Sequence, residues 1–318
     1  MVLEELILLY YLRIFSLLIF FFLIFSSYLL FIKEIKLKNN NFIIEKNESL
    51  KSIIDSNFEN FNFIEIFFAK FFLSINSKYF QNIHYGRFII TDDYNLKKFI
   101  STISQPSNYI LKITIVEGWD KTKLTKLLES IFVEFKDVRY EEILADTYYL
   151  HSYESFELFY EKLKNQKKMM KKKYEDHQLH RQYSFDELMI IGSLLEREGK
   201  DNLDKKIIFS VIQNRLQKNM KLQLDATTIY AITDGNYDLG RDLLTKDLKI
   251  KHPYNTYHIK GLPPGPISYV GKKTMELIYE NYKSNYLYYF YNNIEGKHIY
   301  SETYDEHNRK LSEYRNKK

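Results

Sequence analysis

Two carboxylates one residue apart, Glu196 and Glu198, stand in the last turn of a run patterned as a buried helix. Ser184-Phe185-Asp186-Glu187 has the S-x-x-E spacing of a capping box, with Tyr183 and Leu188 placed as a hydrophobic staple, which predicts a helix beginning at Phe185. It continues through Leu188, Met189, Ile190, Ile191, Leu194 and Leu195, apolar almost all round, to Gly199, a natural C′ residue. The C-terminal end of a helix carries partial negative charge, and an apolar surround disfavours an ionised carboxylate, so both effects raise a pKa. A carboxyl group that keeps its proton near neutral pH is what acid-assisted cleavage of a glycosidic bond requires. At about 100° per residue the two side chains diverge, and only one of them faces a given cleft. Glu196 shares its face with Met189, Gly192 and Ser193, whose small side chains leave room for a ligand, and is the expected acid. Glu198, on the face of Ile191, Leu194 and Leu195, is the runner-up.

A second polar set follows a further helical run, Lys205 to Leu216. Gln223, Asp225 and Thr227 alternate with Leu222, Leu224 and Ala226, so an extended strand would put the three polar side chains on one face, as a carbohydrate cleft wall requires. Asp225 is the residue to weigh as a second carboxylate, because classical glycosidases use a pair. Other chemistries are poorly supported. There are no cysteines, hence no disulfide or thiol chemistry. His177 and His180 have an i, i+3 spacing but no H-E-x-x-H and no third ligand, so no metal site is expected. A formal charge of +5 over 318 residues does not indicate a nucleic-acid binder.

The elements that must position these groups are legible in outline. Residues 14–32 are uncharged and mostly apolar, long enough to cross a bilayer as a helix, and lack an A-x-A-like cleavage site; they predict a single-pass anchor. Glu4, Glu5 and Arg13 precede this stretch and Lys33, Lys36 and Lys38 follow it, a bias that by itself would leave the C-terminal bulk in the cytoplasm. Beyond it, 42–44 reads as a strand, 48–54 and 63–72 as helices and 110–116 as a strand. Lys162 to Lys173 holds seven lysines, but Phe156, Phe159, Leu163 and the Met169-Met170 pair fall at near-helical intervals, which predicts a long helix with a solvated basic face. Four of the five prolines fall between Pro253 and Pro266 and mark an ordered loop. Residues 286–308 alternate like a hairpin, with His298 and His307 reading as structural.

The order GSLLEREG, NRL, MKLQLDATTIYA, HPYNTYHIKGLPPGPIS and YLYYFYNNIEGKHIYSETYDEHN resembles the YceG-like family, the MltG-type endolytic murein transglycosylases, over about residues 40 to 310. Glu117-Gly118-Trp119 is similar to the family's EGW turn, and Leu144-Ala145-Asp146-Thr147-Tyr148 to its F-P-D-T-Y, with Leu-Ala in place of Phe-Pro. The resemblance implies an α+β fold: a cytoplasmic N-terminus (1–13), a transmembrane helix (14–32), a small LysM-like α/β subdomain (40–112) and a mixed α+β catalytic domain (113–318). It implies a lyase at the cell membrane with its catalytic part facing the periplasm or wall, against the charge bias. That lyase would cut nascent peptidoglycan glycan strands after N-acetylmuramic acid, with Glu196 as the only catalytic carboxylate and no metal or organic cofactor. It also places Tyr254 and Asn255 at the wall of the substrate cleft, gives Asp146 and Tyr148 a place near the groove, and implies penicillin-binding protein synthases as partners. A non-catalytic glycan-binding scaffold and a lysozyme-like hydrolase using Asp225 or Glu198 as partner are the alternatives.

Overall fold

The computed structural model describes residues 2–59, 61–90, 94–151, 154–235 and 239–317, with side chains from residue 6 onward. The fold is α+β and divides into two compact units, residues 1–111 with 149–154, and residues 112–148 with 155–318.

The first unit opens with α1 (Val2–Ser27), which continues as a π-turn over Tyr28–Ile32. Leu6–Ile32 is, among the described residues, the one helical stretch long and apolar enough to cross a membrane, and it contains the 14–32 run that the sequence pattern marked. Then come β1 (Glu34–Ile35), β2 (Asn41–Ile44), α2 (Leu50–Asn57), α3 (Phe63–Tyr79), β3 (Gly86–Ile89), β4 (Tyr94–Asn95) and α4 (Leu96–Ile103). Each helix starts at a polar cap that accepts a backbone N–H: Ser49 for α2, Asn62 for α3 and Asn95 for α4. The strands pair antiparallel as β1 with β4 and β2 with β3, the latter with Phe42 opposite Phe88. Leu29, Ile53, Ile54, Leu73, Phe88, Leu96 and Phe99 fill the core between them.

Strands β5 (Ile110–Thr114) and β6 (Thr147–His151) pair with each other, and α5 (Lys121–Glu129) lies between them in the chain. The second unit then gathers α6 (Phe156–Lys173), α7 (Phe185–Glu198), α8 (Asn202–Gln217), α9 (Asp225–Thr233), α10 (Lys272–Tyr279), the hairpin β7 (Tyr288–Asn292) and β8 (Lys297–Ser301), and α11 (Tyr304–Lys317). Helix α6 carries the lysine run as expected, with Phe156, Phe159, Leu163 and Met170 buried and Met169 turned out to solvent. Helix α7 is the hub. The Ser184–Glu187 capping box closes its N-terminus, and every residue from Leu188 to Leu195 is buried. At roughly 1.5–3 kcal/mol per large apolar side chain, this helix is the main hydrophobic investment of the unit.

Two local expectations change. Gly199 has φ −76°, not a left-handed value, so it is not a Schellman glycine. Its use is closeness: a Cβ there would sit 2.4 Å from Lys205 Cγ, where α8 turns back against α7. The alternation from Leu222 to Thr227 is not a strand either. Helix α9 begins at Asp225, whose carboxylate suits the positive end of a helix dipole.

Candidate active site

The end of α7 presents Glu196 and Glu198 to opposite surroundings, as helical geometry demands. Glu196 is sealed, its side chain 2% exposed. It accepts from Lys205 Nζ at 2.5 Å and from the Gly271 backbone N–H at 2.8 Å, and Lys205 Nζ donates in addition to Thr274 Oγ1 at 2.9 Å. The room that Gly192 and Ser193 were expected to leave for a ligand is taken by the protein's own 267–271 segment. A Cβ on Gly192 would meet Val270 Cγ1 at 2.6 Å, and Ser193 Oγ accepts from the Ile267 N–H at 3.0 Å. Small residues on a buried helix face thus mark close packing as readily as a cleft.

Glu198 is half-buried and reaches the other side. Tyr289 on β7 donates its hydroxyl to Glu198 Oε2 at 3.1 Å. Burial raises the proton affinity of Glu198, and the negative charge of Asp225 raises it further; Tyr289, His298 and the Ala226 N–H at the start of α9 pull only partly in the opposite direction. The Tyr289 hydroxyl is itself held protonated, by burial and by the neighbouring Glu198 charge. Asp225, whose charge acts on this carboxyl group, is exposed, as is Gln223 two residues before it. Asp225 Oδ1 accepts from Tyr257 OH at 2.6 Å.

The backbone that carries Gln223 is strained. Its φ of +55° is left-handed, a conformation uncommon for a residue with a side chain and kept only where the surrounding structure over-determines it. Arg215, at the end of α8, secures the turn. Its guanidinium donates to the carbonyls of Lys221, Leu222 and Leu287 and, at 3.3 Å, to Gln223 Oε1. Behind Tyr289, the ring of His298 stands edge-on at 5.2 Å and its Nδ1 lies 2.8 Å from Asp204 Oδ2, while Tyr300 donates to the other Asp204 oxygen. Burial alone would raise the pKa of Asp204, but the hydrogen bonds from His298, Tyr300 and the Lys200 N–H outweigh it and hold the carboxylate below its usual range.

The remaining expected site residues fall elsewhere. Thr227 is buried, with its hydroxyl engaged by the Leu224 carbonyl and by Thr256, so it presents nothing to a cleft. Asn255 is fully buried and saturated: its amide donates to the carbonyls of Leu248 and Ile250, and its oxygen accepts from Thr228 and from the Tyr257 N–H. It braces the proline-rich loop against α9. Tyr254 packs on Tyr230 at 4.6 Å between ring centroids and lines a cavity of about 540 Å³ with Tyr140, Arg139 and Pro264–Pro266. Tyr148 is buried and donates to the Leu144 carbonyl, and Asp146 is engaged by Gln166. His180 is taken up by Tyr183 and Tyr279 and His177 by the Leu179 N–H, and among the described residues no group of three His, Cys, Asp or Glu side chains could hold a metal. Arg215 and Tyr289, which sequence patterning passed over, His298, which it read as structural, and Tyr257 of the Y-N-T-Y run all lie inside the quoted motif strings.

A model described as the YceG-like family matches residues 42–313. The chain belongs to the YceG-like family. Among similar proteins, a Bacillus subtilis protein named endolytic murein transglycosylase is 37% identical over 142 residues, which is 44% of this chain and 38% of that protein. A Streptococcus pneumoniae protein of the same name is 36% identical over 135 residues, 42% of this chain and 24% of that one. The matched segment therefore spans well under half the length of either relative. A solved YceG-like protein from Listeria monocytogenes has the same fold, with a TM-score of 0.52 at 23% identity over 85% of this chain and 98% of that chain.

Proposed function

We propose that this chain is a membrane-anchored, endolytic peptidoglycan lytic transglycosylase, and that Glu198, not Glu196, is its acid and base. The observation that carries the assignment is the contrast at the end of α7: Glu196 is spent on a buried ion pair, whereas Glu198 is half-buried, holds its proton more tightly than an ordinary Glu and lies close enough to the exposed Asp225 to feel its charge.

In this reading, protonated Glu198 donates to the oxygen leaving C1 of N-acetylmuramic acid. Charge that develops at C1 is met by the carboxylate of Asp225, and the same Glu198 then takes the proton of the sugar's own C6 hydroxyl as that oxygen closes on C1. One C–O bond breaks, one forms, and the proton returns to the carboxylate, so no water is consumed. Gln223 and Tyr257 orient the sugar, Tyr289 fixes the carboxyl rotamer, and Tyr254 with its cavity offers an aromatic wall farther along the groove. Anchoring by the N-terminal apolar helix, with the catalytic unit on the wall side and penicillin-binding protein synthases as neighbours, completes the reading. The names of the relatives support it.

The test is to incubate the chain with polymeric glycan and read new chain ends by mass spectrometry beside Glu198→Gln and Glu196→Gln. Anhydro ends from the parent and from folded Glu196→Gln, but not from Glu198→Gln, are expected. Reducing ends would instead mean hydrolysis with Asp225 as the partner carboxylate, and no cutting by a well-folded parent would mean a glycan-binding scaffold.

A further inference from the structure

Helix α3 is turned inside out for a helix in water. Phe63, Ile64, Phe67 and Phe71 are 85, 57, 62 and 42% exposed, and their spacing gathers them on one face, while Glu65, Ala69 and Leu73 form the buried side. Apolar patches of this kind on a folded domain mark a surface with a partner.

We propose that α3 is a second membrane-contacting element, an interfacial helix whose exposed face is seated in the acyl chains of the bilayer that α1 enters. The inference rests on reading α1 as a membrane span. What names lipid as the occupant is continuity. The Phe22 ring of α1 lies 5.2 Å from Phe68 and 6.3 Å from Phe71, and Phe25 lies 4.9 Å from Phe68, so the exposed face of α3 joins the exposed apolar surface of α1 where Phe71 meets Phe22, both 42% exposed. Depth agrees. The span Leu6–Ile32 has 27 residues, more than the roughly 20 needed to cross a hydrocarbon core of about 30 Å, so its last turns, where α3 packs, reach the exit boundary.

Charge agrees as well. The single acid of α3, Glu65, is ion-paired with Lys33, the first residue past the span, and Lys33 Nζ also lies 5.0 Å over the Phe61 ring. The first turn of α3 is therefore pinned to the point where α1 ends. Lys70 and Lys78 are left as cations whose long stems can reach anionic headgroups from an interfacial helix. Pairing of α3 with a second copy of itself would bring the Lys70 charges flanking this face together, which disfavours that occupant. Two attachments, one across and one along the bilayer, would restrain the tilt of the first unit in a way that a single helix cannot.

The chain has no cysteine, so single labels are clean. The full chain, carrying Phe67→Cys, Phe15→Cys in α1 or Val133→Cys at a fully exposed turn, is labelled with an environment-sensitive dye. It is then reconstituted in phosphatidylethanolamine–phosphatidylglycerol vesicles containing acyl-chain quenchers. Quenching at 67 comparable to that at 15, with none at 133, is the expected result. Quenching at 15 without quenching at 67 overturns the proposal and leaves the anchor standing. Quenching at neither overturns both. An unquenched position 67 that crosslinks to its counterpart on another copy overturns it in favour of self-association.

Discussion

Exchanging each glutamate at the end of α7 for glutamine separates a group that does chemistry from one that holds the fold. Glu196→Gln leaves Lys205 as a cation with a 15% exposed side chain and no compensating charge, only neutral acceptors in Thr274 and the new amide oxygen. Removing one partner of a buried pair costs about 3–5 kcal/mol, and at about 2–4 °C per kcal/mol for a domain of this size the second unit should melt roughly 6–20 °C lower. Activity, measured well below that temperature, should persist in the folded fraction. Lys205→Met added to Glu196→Gln should recover part of the loss, because the orphaned charge is gone. Glu198→Gln should do the reverse. A carboxyl group whose folded-state pKa is raised binds its proton more tightly folded than unfolded, so its contribution to stability falls as pH rises from the ordinary carboxylate range through the raised value. Glutamine removes that loss, so this variant should be at least as stable as the parent at pH 7 and gain relative to it as pH rises. Loss of general acid and base should cut turnover by about 10²- to 10⁴-fold. Calorimetry from pH 4 to 8 beside chain-end analysis reads both quantities. An inactive Glu196→Gln with an unmoved melting temperature, together with an active Glu198→Gln, would refute the reasoning.

The groups around Glu198 should move its titration in opposite directions. Asp225→Asn removes a charge that raises its pKa, so the alkaline limb of the kcat/KM profile should shift to lower pH, whereas Tyr289→Phe removes a hydrogen bond that lowers it and should shift the limb upward. A limb that stays in place in both variants would disconnect these residues from the acid. Gln223→Gly should relieve the left-handed backbone and stabilise the unit by about 1 kcal/mol in denaturant melts, while raising KM through loss of the amide. Gly192→Ala, which drives a methyl into Val270, should cost about 1–3 kcal/mol. Unchanged stability would show that the 267–271 segment yields easily.

Local rules were enough for much of this protein. The capping box and staple placed α7 to the residue, because an N-cap satisfies its donors within four residues and needs nothing distant. The apolar N-terminal run, the lysine face of α6 and the motif order that resembles YceG-like proteins were equally readable, since composition and order survive without coordinates. The division of labour between Glu196 and Glu198 was not. Periodicity showed that they point apart, but what each one meets comes from chain far away in sequence: Lys205, Gly271 and the 267–271 segment for one, Asp225 and Tyr289 for the other. The internal engagement of Asn255 and Thr227 was illegible for the same cause, because polar side chains in a tightly packed loop are taken up by buried carbonyls and hydroxyls that no local pattern reveals. Sequence alone determined that a carboxylic acid stands at the end of a buried helix. Tertiary structure decided what each of the two meets, because a carboxylate's proton affinity depends on the groups folded against it and not on its neighbours in the chain.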